Sequence, residues 1–292
     1  MLPGMCSRKL IATMLQAVAV FLALAPLLLS QTRPKPPKSV RLYVFDNGVI
    51  KGLDPAIFHF KKEELATTDM VVCSYLIVHP KGTLMWDTGA IPDADLKADG
   101  SPVTQERFTA TKTLKSQLAS VGHTPKDITY FGLSHYHVDH IANANDFAGS
   151  TWLVQQPERD AMFAEKGGAP VAQRAKYIAL KDSKTQILNG QDYDVFGDGT
   201  VVIKAAYGHT PGHQVAYLKL AKTGPILLAG DLYHYQEERN TDKTPTFDFD
   251  RDQSLASRAA IEAFIRKTGA QLWIEHDLAH FNQLKKAPGY YE

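Results

Sequence analysis

Ser134-His135-Tyr136-His137-Val138-Asp139-His140 is the stretch on which the reading of this chain turns. Three imidazoles and a carboxylate fall within the six residues from His135 to His140. They follow an apolar segment, residues 128–133, that reads as a strand delivering the chain to Ser134. Imidazoles packed this closely repel one another when charged and need partners when neutral, and a divalent cation meets both needs. Alternate residues such as His135 and His137 project in related directions from an extended segment, which leaves Asp139 and His140 free to turn toward a second position. One cation takes about four ligands, so this run calls for further ligands from elsewhere.

Three later segments offer them. Gly208-His209-Thr210-Pro211-Gly212-His213 is a glycine-bounded turn behind a strand that ends at Ala206. Ala229-Gly230-Asp231 closes an apolar strand with a carboxylate, and Ile274-Glu275-His276-Asp277 closes the last strand with an imidazole. Each motif alone is common. In this order behind the first cluster they are specific, and they make His209, Asp231 and His276 candidate ligands.

The segments between the motifs alternate between strand and helix. Residues 40–45 read as a short strand and the Val- and Ile-rich residues 70–79 as a long buried one. Pro80-Lys81-Gly82 turns the chain back into residues 83–86. Leu114, Leu118 and Val121 at helical spacing, with Gly122 behind them, predict a helix and its stop. Residues 152–154 and 200–205 read as strands, and residues 214–220 and 226–229 as a pair across Lys222-Thr223-Gly224. Ile261, Phe264 and Ile265 mark one face of a late helix ended by Gly269, and residues 272–274 form a last strand. Two groups of strands, each followed by helices, suit a layered α/β sandwich. With no internal repeat and no linker after residue 40, residues 40–292 read as a single domain.

Composition bounds the function. The 292 residues are 44% hydrophobic and 22% charged, an ordinary globular balance with enough chain for a sizeable core. Lys+Arg 32 against Asp+Glu 31 leaves +1, without the basic excess that usually marks a nucleic-acid binder. Two cysteines exclude both a disulfide framework and a Cys-rich zinc module. Residues 1–30 read as a secretory signal peptide: Arg8 and Lys9 precede an apolar run interrupted only by Thr13, Gln16 and Pro26. Residues 31–39 read as a Pro/Lys-rich linker. An uncleaved membrane anchor is the alternative, since the run is near the lower limit for spanning a bilayer; Pro26 and the basic residues after it weigh against that. The expectation is a periplasmic or secreted protein starting near Gln31, with no stable membrane partner. It would carry 30 basic against 31 acidic side chains, and with Cys73 alone it would form no internal disulfide.

These motifs together resemble the metallo-β-lactamase-fold hydrolases over about residues 40–282. His135, His137, Asp139 and His140 match the family's His-x-His-x-Asp-His motif. His209, Asp231 and His276 match its later ligands, and Asp87-Thr88-Gly89 its short strand-end motif. The resemblance implies a four-layer αββα sandwich with two divalent metal ions in a cleft at the sheet edges. Zinc is the expected ion, with iron, cobalt and manganese as alternatives. One metal would take His135, His137 and His209, the other Asp139, His140 and His276, with Asp231 and a hydroxide between them. His213 is read as supporting the site rather than ligating, and His59, His79, His123 and His280 as surface or packing residues.

Within that superfamily the spacing is most similar to the N-acyl-homoserine lactonases, over residues 114–140, Gly208 to Gln214 and His276-Asp277. Asp231 disfavours a true β-lactamase, where that ligand is generally Cys or absent. No basic cluster near the C-terminus suits a glutathione thioesterase. One departure stands out: lactonases of this group often carry a Tyr three residues after the bridging Asp, and here that position is His234, between Tyr233 and Tyr235. The implied reaction is attack of the bridging hydroxide on the lactone carbonyl. His234 or Tyr233 would donate to the developing oxyanion, and Asp139 would pass the proton to the leaving alkoxide. Ile57, Phe58 and Phe60 are candidates for an acyl groove, with plain core packing as the simpler reading of such a trio. The runner-up is a secreted organophosphate triesterase, or another ester or thioester hydrolase of this fold. An iron oxidoreductase would use the same ligands, whereas a non-catalytic module is disfavoured because no ligand is missing. The substrate is thus a small lactone or ester, and a homodimer is left open.

Overall fold

Strand Met70–His79 is buried along all ten residues, and this explains why its sequence is apolar throughout instead of alternating. In the computed structural model, which describes residues 35–292, it lies in the middle of a layered sandwich. The expected signal segment and most of the linker's first half lie outside those residues. Among the described residues no helix is long and apolar enough to cross a membrane.

The first sheet holds β1 (Arg41–Ile50), β2 (Met70–His79), β3 (Gly82–Trp86), β4 (Val103–Gln105), β5 (Phe108–Ala110), β6 (Tyr130–Gly132), β7 (Thr151–Val154) and β8 (Thr185–Ile187). Their order is β4-β5-β1-β2-β3-β6-β7-β8. The second sheet holds β9 (Tyr193–Asp194), β10 (Val201–Ala205), β11 (Gln214–Leu220), β12 (Gly224–Leu228) and β13 (Gln271–Trp273), in the order β13-β12-β11-β10-β9. The β2–β3 and β11–β12 hairpins fall where the turn residues predict, whereas β1 runs five residues beyond the expected end at Phe45. Its pairing with β2 shifts register between Asp46 and Val49, so the apolar periodicity that would mark the second half is broken. The short β4–β5 hairpin has no apolar run to announce it.

The α-helices among the described residues are α1 (Leu114–Ser120), α2 (Gln156–Phe163), α3 (Arg251–Thr268) and α4 (Leu278–Gln283). Alternation along each strand sorts side chains into layers. Val71, Cys73, Tyr75 and Ile77 meet Val201, Ile203, Leu218 and Leu228 of the other sheet. Leu76 and Val78 face the opposite way, toward Leu114, Leu118 and Met162 of α1 and α2. Val215, Tyr217 and Leu227 pack on Ile261 and Ile265 of α3. The result is an αββα sandwich. Asp250 caps α3 by accepting the Gln253 N–H at 3.0 Å, and Gly269 ends it at φ +70°.

Candidate metal centre

The ligand-type residues lie in the loops that leave β6, β10, β12 and β13, so both sheets contribute to one rim. Asp87, just past β3, anchors the first of these loops: its Oδ1 accepts the Ser134 N–H at 2.7 Å. Thr88 then donates to the His140 carbonyl from its N–H at 2.7 Å and its hydroxyl at 2.9 Å. This is the work of the Asp87-Thr88-Gly89 motif, which holds both ends of the His-rich loop. The second loop lies tight against the start of α3. A Cβ on Gly208, at φ +129°, would sit 2.1 Å from the Ser254 nitrogen, so only glycine fits.

The structure brings the seven expected ligands together in two groups. Nitrogen or oxygen atoms of His135, His137, His209 and Asp231 lie within 4.8 Å of one another, and so do those of Asp139, His140 and His276. Asp231 lies between the groups. Its Oδ1 is 3.2 Å from His140 Nε2 and 3.1 Å from His276 Nε2, while its Oδ2 is 3.6 Å from His135 Nε2 and 3.5 Å from His209 Nε2. Asp139 stands 3.6 Å from His276 Nε2 through Oδ2 and 3.8 Å from His140 Nε2 through Oδ1.

The far side of four of the five ligand imidazoles, all but His137, is held in place. His209 Nδ1 donates to Asp248 Oδ1 at 2.8 Å, and Asp248 Oδ2 accepts the Ser254 hydroxyl at 2.6 Å. His276 Nδ1 donates to the Val71 carbonyl at 2.7 Å. Ser134 Oγ lies 3.0 Å from His135 Nδ1, and His140 Nδ1 is 3.3 Å from Asp87 Oδ2 and 3.4 Å from Glu275 Oε1. Such partners fix the tautomer and aim the other nitrogen inward. His213 is a supporting residue: its Nδ1 donates to the Ala206 carbonyl and its Nε2 accepts the Asp231 N–H, both at 3.0 Å.

The charge pattern suits cations. Burial, and then neighbouring imidazoles, hold His135 and His137 well below the usual histidine range, so their lone pairs are free at neutral pH. Burial opposes charge on Asp231, yet His276, His140, His135 and His234 around it keep the carboxylate ionised. His135 Nε2, His140 Nε2 and Asp231 Oδ1 are buried with no hydrogen-bond partner among the described residues. Five imidazoles and two carboxylates form a donor set that fits zinc and also iron, cobalt or manganese. Two divalent ions would complete every one of these orphaned atoms.

His234 stands beside the centre, with Nε2 3.2 Å from Asp231 Oδ2 and its ring 4.9 Å from that of Phe58. Burial pulls its pKa down, but Asp231 and Glu238 outweigh it and push it up to about 10. The expectation for Tyr233 is corrected. Its ring packs among Leu227, Leu232 and Ile261, under the Arg258 guanidinium, and its hydroxyl reaches Glu262, away from both ligand groups. Tyr233 and His234 are neighbours at an extended position, φ −141° at Tyr233, so they point to opposite sides.

A cavity of about 340 Å³ opens over the centre, within the range of small-molecule clefts. His137, Asp139, Asp231, His234 and His276 lie at its polar end, and Ile50, Leu53, Phe108 and Phe247 are among its apolar walls. Of the expected groove trio, Ile57 and Phe58 line it, whereas Phe60 is buried in the cluster behind, with Leu65 and Tyr235. Elsewhere His59 is exposed and His79 pairs with Asp198 at 2.9 Å, in keeping with surface and packing roles.

Sequence reasoning missed Asp248 and Glu158. Glu158, on α2, accepts the Tyr136 N–H, the Thr210 hydroxyl and the Gly212 N–H, each at 2.8 Å, and so ties the two ligand loops together. Neither residue stands in a motif; each is an ordinary acid until the fold places it.

The metallo-beta-lactamase superfamily profile matches residues 67–267, and the chain belongs to that superfamily. Among curated relatives, the N-acyl homoserine lactonase AttM of Azorhizobium caulinodans is 29% identical over 267 residues, 87% of this chain and 99% of that protein. A solved N-acyl homoserine lactone hydrolase, with the product N-hexanoyl-L-homoserine at its catalytic metal center, superposes with a TM-score of 0.69. It is 23% identical, covering 86% of this chain and 99% of that one. The dizinc quorum-quenching lactonase AidC, also with a product bound, superposes at 0.63 and 21% identity, covering 87% of this chain and 94% of that one.

Proposed function

We propose that the protein is a dinuclear metal-dependent hydrolase that opens the lactone ring of N-acyl-homoserine lactones, a quorum-quenching activity. One observation carries this reading: two ligand groups joined by Asp231 lie at the polar end of a largely apolar cavity. The lactonases named above, related over most of the chain, support it. His135, His137 and His209 would hold one ion and Asp139, His140 and His276 the other, with Asp231 shared. When bound, such ions lower the pKa of a coordinated water and polarise a carbonyl oxygen.

The side chains divide the remaining work. The apolar walls take the acyl chain and exclude water from the carbonyl. His234, on the cavity wall, donates a hydrogen bond toward the carbonyl oxygen as charge develops there. Asp139, on the same wall, takes the proton of the attacking water and returns it to the ring oxygen as the C–O bond breaks, leaving a hydroxy acid.

The test is a hydrolysis panel on metal-reconstituted protein: short- and long-chain acyl-homoserine lactones, a phosphotriester, a thioester and a β-lactam. Acyl-homoserine lactones should give the highest kcat/KM, and faster turnover of the phosphotriester or the thioester would overturn the reading. We propose zinc as the ion, at two per chain, to be checked by metal analysis. The basic n-region and apolar run of residues 1–30 support export to the periplasm or medium. N-terminal sequencing of exported protein should start near Gln31, and an intact Met1 would favour an anchored form.

A further inference from the structure

Glu238 is fully buried in the 3-10 turn Gln236–Asn240, one turn past His234. Its Oε1 accepts the N–H groups of His234 at 3.1 Å and Tyr235 at 3.3 Å, and it faces His234 Nδ1 at 3.5 Å. The contact with the ring is electrostatic rather than a hydrogen bond, and the two backbone bonds fix where the carboxylate stands. Its Oε2 accepts Arg258 Nη2. Arg258, on α3, is buried as well, and the rest of its guanidinium is taken: Nε donates to the Leu232 carbonyl at 2.8 Å and Nη1 to the Lys243 carbonyl at 2.6 Å. A buried carboxylate left alone is costly, and this guanidinium offsets the cost. On the other side of the ring, His234 Nε2 lies 3.2 Å from Asp231 Oδ2. Arg258, Glu238, His234 and Asp231 thus form one buried line from α3 to the ligand groups.

We propose that Glu238, held by Arg258, is a positioning residue that keeps the His234 imidazole turned with Nε2 toward the centre. A histidine ring turns about its Cβ–Cγ bond between two settings of roughly equal shape. A half-turn of His234 would set Cδ2 against Glu238 and put Cε1 where Nε2 now stands, leaving no N–H donor there. The carboxylate beside Nδ1 favours the setting observed, as a carboxylate behind a metal-ligating imidazole does. The ring contacts with Phe58 and His276 suit either setting, because a half-turn leaves the ring in the same plane. The proposal rests on the donor role given to His234 in the hydrolysis above.

The experiment places Glu238→Gln, which removes the charge, and Glu238→Asp, which withdraws it by one methylene, in three backgrounds: wild type, His234→Ala and His234→Tyr. Rates are measured on whichever substrate of the hydrolysis panel wild type turns over fastest, with metal content and Tm as checks on folding. In the wild-type background each change should lower kcat about 10–100-fold, as loss of an orienting partner does, with KM nearly unchanged. In His234→Ala it should lower kcat no further, since no ring is left to orient. In His234→Tyr it should cost little, because a phenol oxygen lies on the axis of the turn. Equal losses in all three backgrounds, or no loss in the first, would overturn the role of Glu238 and leave the lactonase reading standing. Failure of both variants to load metal would make Glu238 plain scaffold and overturn it too. A wild type that hydrolyses another substrate but no acyl-homoserine lactone would end the lactonase reading alone, and one that hydrolyses nothing on the panel would end both.

Discussion

Asp231 presents one oxygen to each ligand group, so at the scale of single residues it and His234 separate two kinds of work. In Asp231→Asn an amide nitrogen replaces one of the two oxygens, and a neutral group replaces the charge that five surrounding imidazoles face. The variant should lose one metal on purification and most activity on every substrate, as read by metal analysis beside the hydrolysis panel. His234 lies outside both ligand groups. His234→Ala should keep both metals while kcat falls by about 10²–10³, the usual cost of removing one donor to a developing oxyanion. His234→Tyr should restore part of the rate, because a phenol O–H donates from a similar place. Full kcat in the alanine variant would mean that His234 only packs against Phe58 and His276.

Through Glu158, helix α2 links the loop after β6 to the loop after β10. Burial pushes the Glu158 carboxyl up from 4.5 to about 7, against the three donors that favour its charged form. A folded pKa above the unfolded value means that the native state holds the proton longer. The stability this contributes is fully present below about pH 4.5 and is lost as pH rises to about 7. Its size is on the order of 3 kcal/mol. Glu158→Gln cannot titrate, so the difference in Tm between wild type and variant should change across that window and level off above it. Thermal unfolding at half-unit pH steps measures it, and a difference flat from pH 4 to 8 would refute it.

Over the whole molecule, the ligands come from segments as far apart as His135 and His276, and a bound ion would join both sheets at one rim. The unfolded chain does not hold these groups together, so ion binding should stabilise the native state alone. A ligand at a thousand times its Kd contributes about 4 kcal/mol, which for a domain of this size corresponds to roughly 10 °C in Tm. Chelation followed by dialysis should lower Tm by about that amount, and added zinc should restore it. A Tm indifferent to chelator, in protein shown to have lost its metal, would argue against a cation at this rim.

The ligand types, their order and the strands that precede them were legible in the sequence, because each signal is local: an apolar run, a turn glycine, and an imidazole or carboxylate just past the strand end. The layered sandwich followed from the same runs, since strands buried on both faces must be covered on both sides. Tyr233 and His234, neighbours at an extended position, point to opposite sides, so only one of them can face the site. Which of them does was decided by tertiary packing, where Arg258 and Ile261 take the Tyr233 ring. Asp248 behind His209 and Glu158 between the loops became functional candidates only through contacts with distant segments. Their side chains belong to no periodic pattern or motif, because a partner 39 or 52 residues away leaves no mark on the sequence around either residue.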